Sequence, residues 1–313
     1  MRNLSIKIFV QILTLIITLI SFSNQPLIVS SSLVIAILLI VFIGIPHGAN
    51  DHLLFFRLFQ NKLRENNKSG ILFYGSYLGL IFLYALCWYF FPLFSLGLFI
   101  SISIYHFGQS NLYASPLKSN LLAILLSGIF VLMTPILAHL EEAKPIILLL
   151  SQNENLISIN FEQGRQISVW LGICTLLFWF MLIIIKKMSW KTGLSEIVNG
   201  VLLFNLFYFA PLWIGFAVYF TLWHSVPSIE DQINFFKKKC DNYHLGKYIK
   251  EILPYTILAI FGLIITLKFS GGFITQVQGI SLMFAFIAVI TLPHMIMMEL
   301  LYKQIGKTEN EMN

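Results

Sequence analysis

Residues 27–46 read LIVSSSLVIAILLIVFIGIP, an unbroken run without a charged side chain, and residues 47–52 follow at once as HGANDH. A helix that crosses the roughly 30 Å hydrocarbon core of a membrane needs about 20 consecutive apolar residues. The run therefore predicts one membrane span. The polar group after it places two histidines and an aspartate at the end of that span.

The rest of the 313-residue chain has the same character. Hydrophobic residues make up 58% and charged residues 11%, and the mean hydropathy is +0.82. Because a soluble globular protein is about one quarter charged, this composition excludes an ordinary soluble enzyme and a disordered protein. Cys87, Cys174 and Cys240 are odd in number and widely spaced, which fits neither a zinc motif nor a disulfide framework.

Similar apolar runs, separated by charges or by Pro and Gly, occur along the whole chain. We predict an all-α bundle of about ten transmembrane spans, at approximately 6–22, 27–46, 70–91, 93–108, 120–139, 166–185, 194–210, 211–227, 254–270 and 279–301. The first run lacks a convincing cleavage pattern for a signal peptide, so we interpret it as a retained span.

The distribution of lysine and arginine predicts the orientation of these spans. With the N-terminus in the cytoplasm, all but three of the 20 basic residues fall on the cytoplasmic side, the exceptions being Lys144, Arg165 and Lys268. Both termini are then cytoplasmic. The net charge of +6 is explained by topology and requires no nucleic-acid partner.

The sequence contains no internal repeat and no linker. We therefore expect a single transmembrane domain over residues 1–313. Its cytoplasmic loops are predicted at about 47–69, 186–193 and 228–253, and a longer outer loop at about 140–165.

The seven histidines are the most informative polar residues, because ionisable groups within a membrane are costly and mark functional sites. His244 lies in a basic loop, and His139 is predicted at the outer interface. The other five fall near the cytoplasmic ends of even-numbered spans and so at similar depth: His47, His52, His106, His224 and His294.

Two interpretations of these five histidines remain open. They could form a hydrogen-bonded cluster between helices, or they could share a metal ion, which satisfies several buried imidazoles at once. Neutral imidazole suits iron, copper and zinc. Asp51 lies four residues after His47 on the same helix face. It could accept a hydrogen bond from the ring nitrogen of His47 that does not bind the metal. Alternatively, it could pair with Arg57 at the helix end.

Four short motifs occur in order with the histidines: Pro46-His47-Gly48 with Asp51, Tyr105-His106-Phe107-Gly108, Trp223-His224-Ser225 and Pro293-His294. Through them the chain resembles the Brp/Blh family of membrane β-carotene cleavage enzymes, which supply retinal to microbial rhodopsins. The resemblance covers about residues 40–300. It implies oxidative cleavage of the central 15,15′ double bond of β-carotene into two retinals, with Fe(II) as cofactor and O2 as co-substrate.

The same resemblance implies roles for individual residues. His47, His106 and His224 would bind iron. The family pattern has a further histidine four residues after His224, where this chain has Ser228, so His294, or alternatively His52, would complete the set.

The candidate catalytic residues are Tyr105 and, behind the ligands, Asp51. The aromatic and thioether side chains near the histidines are candidates for binding the polyene, although core packing is the simpler role for each: Phe107, Phe220, Trp223, Met295 and Met298. The expected location is the inner membrane of a bacterium, in contact with lipid, and retinal would pass to a rhodopsin.

Other functions remain possible. A carotenoid- or retinal-binding membrane protein without catalysis is compatible with Ser228, and a transporter could use the histidines as a relay. A histidine-rich desaturase or hydroxylase is disfavoured, because such enzymes need clustered H-x-x-x-H or H-x-x-H-H motifs.

Overall fold

The computed structural model describes residues 4–23, 25–59, 69–269 and 275–312, and this part of the chain contains helices and no strands. Four of the basic residues assigned to the cytoplasmic side lie outside the described residues, namely Arg2, Lys62, Arg64 and Lys68. Two of the helices contain a π-helical turn, which we call π1 and π2. The elements in chain order are α1 (Leu4–Ser23), α2 (Gln25–Leu39), π1 (Ile40–Gly44), α3 (Ile45–Gly48), α4 (Asp51–Leu58), α5 (Ser69–Phe90), α6 (Pro92–Leu112), α7 (Leu121–Ala138), α8 (Leu140–Ser151), α9 (Phe161–Ile184), α10 (Trp190–Phe209), α11 (Leu212–Val218), π2 (Tyr219–Ser225), α12 (Val226–Lys237), α13 (Leu245–Phe269) and α14 (Gln276–Met312).

Each of the ten predicted spans falls on a helix, which confirms the all-α class. Among the described residues, nine helices are long and apolar enough to cross a membrane. The tenth, α6, has 21 residues, but His106, Gln109 and Asn111 make its second half polar. The protein is thus a multi-pass helical membrane protein.

The outward surface of the helices fits this conclusion. Large apolar side chains are exposed along them, among them Phe9, Phe82, Phe94, Leu121 and Leu258. In water each such side chain would forgo about 1.5–3 kcal/mol of burial energy, whereas lipid tails solvate it.

Several helices extend beyond their predicted ends. Residues 228–237, expected to begin a loop, are helical as part of α12, because Ser228, Gln232 and Phe235 form a buried stripe on one face of an otherwise polar segment. In the expected outer loop, 140–151 form α8, with Leu140, Ala143 and Ile146 buried at intervals of three residues.

The helices form two compact units. Unit 1 comprises Met1–Gly44, Ser103–Pro145 and Ile157–Pro227. Within it α9 packs between α7 and α10, α1 packs on α10, and α11 packs on α2. A side-chain hydrogen bond also joins π2 to α1, since Trp223 donates its indole N–H to Thr14 over 2.9 Å.

Unit 2 comprises Ile45–Ile102, Ile146–Leu156 and Ser228–Asn313. Its long helix α14 packs on α4, α5 and α13, and α13 also packs on α3. The expectation of one transmembrane domain over the whole chain stays a prediction.

Candidate metal centre

His47 follows the turn π1, and His224 lies within the turn π2. Each turn ends two residues before a proline. π1 ends at Gly44, before Pro46, and π2 ends at Ser225, before Pro227. Proline has no N–H to donate and its ring crowds the carbonyl four residues earlier, so an α-helical turn is unfavourable at this point. The wider turns accommodate this and set the directions of His47 and His224. π-Helical turns are frequent at functional sites.

In unit 2, His47 of α3 and His294 of α14 face each other. Their Nε2 atoms are 3.1 Å apart, and their rings are nearly perpendicular, at 88°. Both side chains are buried. Two nitrogens that each lie about 2.1 Å from one ion are about 3.0–3.4 Å apart, so the pair has the spacing of two ligands of one metal.

Asp51 supports His294 from the other side of its ring. The Nδ1 atom of His294 is 2.8 Å from Oδ1 of Asp51, and Tyr77 donates its hydroxyl to Oδ2 of Asp51 over 2.7 Å. The sequence predicted His47 as the ring that Asp51 contacts, and this partner was wrong. Asp51 begins α4, and the packing of α14 on α4 brings the distant His294 to it. Arg57, the other predicted partner, pairs with Glu251 at 2.9 Å.

In unit 1, His106 of α6 and His224 of π2 form a second pair, with ring centroids 4.8 Å apart and an angle of 76° between the planes. Both rings are buried. Phe107 meets the His224 ring edge-on at 4.9 Å, and Phe220 stacks on it at 5.8 Å. The predicted substrate residues Phe107 and Phe220 therefore lie directly beside a candidate ligand.

Glycines allow the close packing around this second pair. A Cβ on Gly44 would lie 2.5 Å from the Phe220 ring. Any residue other than glycine would therefore displace that ring from its position beside His224. A Cβ on Gly108 or Gly128 would meet the backbone of the facing helix, at the carbonyl of Ile124 or Ile104. The backbones of α6 and α7 are therefore in contact at Gly108, two residues after His106.

The remaining predicted site residues have other neighbours. His52, the alternative ligand, stacks on Tyr255 at 3.6 Å. Tyr105 packs against a hydrophobic cluster that includes Leu112 and Trp179. Ser228, in the position where the family pattern has a histidine, is fully buried on α12.

The three other predicted substrate residues, Trp223, Met295 and Met298, differ in their surroundings. Met295 is half-buried, whereas Met298 is fully buried and its sulfur lies 3.3 Å from the Gln232 amide nitrogen. Trp223, as noted above, is tied to α1. Packing roles thus account for Met298 and for the indole N–H of Trp223.

Two residue groups near the histidines escaped the sequence analysis. Tyr77 is one, and the other is the buried Gln232, whose side-chain oxygen accepts from Asn50 at 2.6 Å and from Tyr248 at 2.7 Å. Tyr77 is 26 positions from its partner Asp51, and Gln232 is 182 positions from its partner Asn50. The one local signal was the polarity of Tyr77 within the apolar helix α5.

The two histidines set aside by the sequence analysis lie elsewhere. His244 is exposed. His139 caps α7, and its Nε2 is 2.9 Å from the carbonyl oxygen of Phe207. Glu299 pairs with Lys303 at 3.0 Å.

The buried histidines of this multi-pass helical membrane protein include two pairs, and a carboxylate contacts one of them. These features define the class of membrane proteins that could hold a metal ion in the bilayer. Comparison with known proteins is more specific. The sequence model of the β-carotene 15,15′-dioxygenase family matches residues 38–302. The chain belongs to this family and is an enzyme of the carotenoid dioxygenase class, which confirms the resemblance found from the motifs.

A curated relative supports the assignment. The β-carotene 15,15′-dioxygenase of the uncultured marine bacterium 66A03 is 29% identical over 275 residues, which cover 86% of this chain and 93% of that protein. No solved structure matches the chain significantly.

Proposed function

We propose that the protein cleaves the central 15,15′ double bond of β-carotene with O2 and releases two molecules of retinal. The observation that carries the proposal is the buried pair His47 and His294, whose Nε2 atoms face each other at 3.1 Å with Asp51 behind His294. Family membership supplies the substrate and the reaction.

The reaction balances without a further reductant. One carbon–carbon double bond is broken, two carbonyl groups form, and each retinal receives one of the two oxygen atoms of O2. When bound, Fe(II) supplies the chemistry that makes O2 reactive toward the alkene. The protein residues hold the ion, position the double bond and exclude water.

We propose His47 and His294 as two iron ligands, and His106 and His224 as the further ligands that the resemblance implies. Imidazole nitrogens suit iron, and the rings of both pairs are buried. Thiolate chemistry has no part in this set, because Cys87, Cys174 and Cys240 are on other segments. His294 takes the place that Ser228 leaves open, since a hydroxyl is a weak iron ligand.

The substrate side of the site is proposed at the aromatic residues of unit 1. Phe107 and Phe220 flank the His224 ring and would contact the polyene by dispersion. Tyr105 stays the proposed catalytic residue, and Met295 stays a proposed substrate-binding residue. Since β-carotene resides in lipid, a site within the bilayer receives it without transfer into water. We place the enzyme in the bacterial inner membrane, from which retinal would pass to a rhodopsin.

Co-expression in a β-carotene-producing bacterium tests this function. We expect the wild-type protein to bleach the cells and to produce retinal, measured by chromatography, and the purified protein to contain about one iron per chain. The variant His47→Ala should abolish retinal and lower the iron content. His244→Ala is the matched control, because His244 is exposed, and it should behave as wild type.

Two results would contradict the proposal. If carotene persists and no retinal forms although the protein is present in the membrane and iron is supplied, the chain is not a carotene-cleaving enzyme. If carotene co-purifies with the protein unchanged under these conditions, the protein binds carotenoid without cleaving it.

A further inference from the structure

We propose that Tyr77 is a positioning residue of the metal centre. Its hydroxyl holds the Asp51 carboxylate in the orientation that directs His294 toward the metal. This inference rests on the proposed function, since it assumes that His294 binds the ion, and it adds to the site a residue on a helix that carries none of the predicted ligands.

The contacts form a chain from Tyr77 to the histidine pair. The Tyr77 hydroxyl donates to Oδ2 of Asp51 over 2.7 Å, and Oδ1 of Asp51 lies 2.8 Å from Nδ1 of His294. On the far side of that ring, Nε2 of His294 faces Nε2 of His47. Each carboxylate oxygen thus has its own partner.

This division of the two oxygens has a chemical consequence. A carboxylate accepts hydrogen bonds and does not donate them, so Nδ1 of His294 must carry the proton. Nε2 then keeps its lone pair, as a metal ligand requires. With only one partner, the carboxylate could rotate about its bond to Cβ and turn the His294 ring with it.

Tyr77 is itself held in place by packing. Its ring contacts Phe73, one turn earlier on α5, at 5.4 Å between centroids, and Phe73 stacks on Phe55 of α4 at 4.7 Å. The helix that carries Tyr77 is thereby fixed to the helix that carries Asp51. Removal of the hydroxyl alone should leave this aromatic packing intact.

Burial makes the contact effective. Asp51 and His294 are both nearly inaccessible to solvent, with 3% and 5% of their surfaces exposed. In such surroundings water does not readily replace a lost donor, and hydrogen bonds to charged groups are among the stronger ones.

The test compares Tyr77→Phe with Tyr84→Phe in the purified full-length protein. Tyr84 lies on the same helix, two turns further on, and its hydroxyl donates to the Ser95 carbonyl at 2.9 Å, away from the histidines. Cobalt(II) serves as a spectroscopic probe of the iron site. We expect Tyr77→Phe to lower cobalt and iron affinity about tenfold and to shift the visible cobalt absorption, and Tyr84→Phe to change neither.

Two further variants separate positioning from loss of stability. Asp51→Asn removes the charge with little change of shape, and the double variant with Tyr77→Phe should lose no more metal affinity than Asp51→Asn alone, because Tyr77 acts through Asp51. If the two losses add, or if Tyr77→Phe binds cobalt with wild-type affinity and spectrum, the inference is wrong. If the wild-type protein binds neither cobalt nor iron, the proposed metal site itself fails.

Discussion

At the scale of single residues, His294 and His52 are two buried histidines of the same unit with different surroundings. His294 has one ring nitrogen toward His47 and the other toward Asp51, an arrangement that suits a ligand. The His52 ring lies flat on Tyr255, with the ring centroids 3.6 Å apart, an arrangement that suits packing. We therefore choose His294 from the two alternatives that the sequence left open.

The variants His294→Ala and His52→Ala test this choice. His294→Ala should lower the affinity for iron more than tenfold, because it removes a ligand where the loss of a supporting residue already costs 10–100-fold. His52→Ala should retain the metal and lose stability by about 2 kcal/mol or more, as truncation of a buried ring does. Metal analysis and thermal unfolding in detergent measure the two effects. Loss of iron in His52→Ala with full iron in His294→Ala would reverse the assignment.

At the scale of helices, close backbone contacts and π-helical turns position the second histidine pair. The crossing of α6 and α7 at Gly108 and Gly128 leaves no space for a side chain. His106 and Phe107 directly precede Gly108, so the positions of these two residues relative to α7 depend on that crossing. Small residues serve this purpose at helix contacts in membranes, where apolar side chains gain little from leaving the lipid.

Gly108→Ala and Gly97→Ala make a matched pair on α6. The Cβ of the first would lie 1.9 Å from the Ile124 carbonyl oxygen, whereas the second has open space within 4 Å. We expect Gly108→Ala to destabilise the protein by about 3 kcal/mol or more and to lower the yield of folded protein. Gly97→Ala should match the wild type. Thermal unfolding and size-exclusion chromatography measure both, and equal stability of the two variants would show that the helices can separate without cost.

At the scale of the whole molecule, the number of membrane crossings decides which side of the membrane each terminus occupies. Nine helices meet the length and hydropathy of a span within the described residues, and α6 makes ten if it also crosses. Ten crossings place both termini on the same side, and nine place them on opposite sides. The basic residues predict the cytoplasm for both.

Reporter fusions at the C-terminus distinguish these topologies. We expect a green fluorescent protein fused after Asn313 to fluoresce and an alkaline phosphatase fused there to be inactive, because the C-terminus is cytoplasmic. A phosphatase inserted at Asn155, in the predicted outer segment, should be active, because five crossings precede it when α6 spans the membrane. Active phosphatase after Asn313 together with inactive phosphatase at Asn155 would mean that α6 does not cross the membrane or that the predicted orientation is reversed.

Local sequence was sufficient to predict most of the helical framework. The run at 27–46 and its counterparts specify helices because the length of an apolar stretch and the burial of backbone polar groups in lipid are local requirements. The same reasoning singled out the costly histidines. It underestimated α12, whose polar composition concealed a buried stripe at Ser228 and Gln232.

The sequence by itself determined that this is a multi-pass helical membrane protein, which residues could bind a metal, and, through its motifs, which family it resembles. The tertiary structure alone decided the partners: His47 with His294, 247 positions apart, Asp51 with His294, and Tyr77 with Asp51. The physical reason is that a hydrogen-bond partner on another helix depends on how the helices pack and rotate. Hydropathy is a property of one segment and contains little information about that rotation.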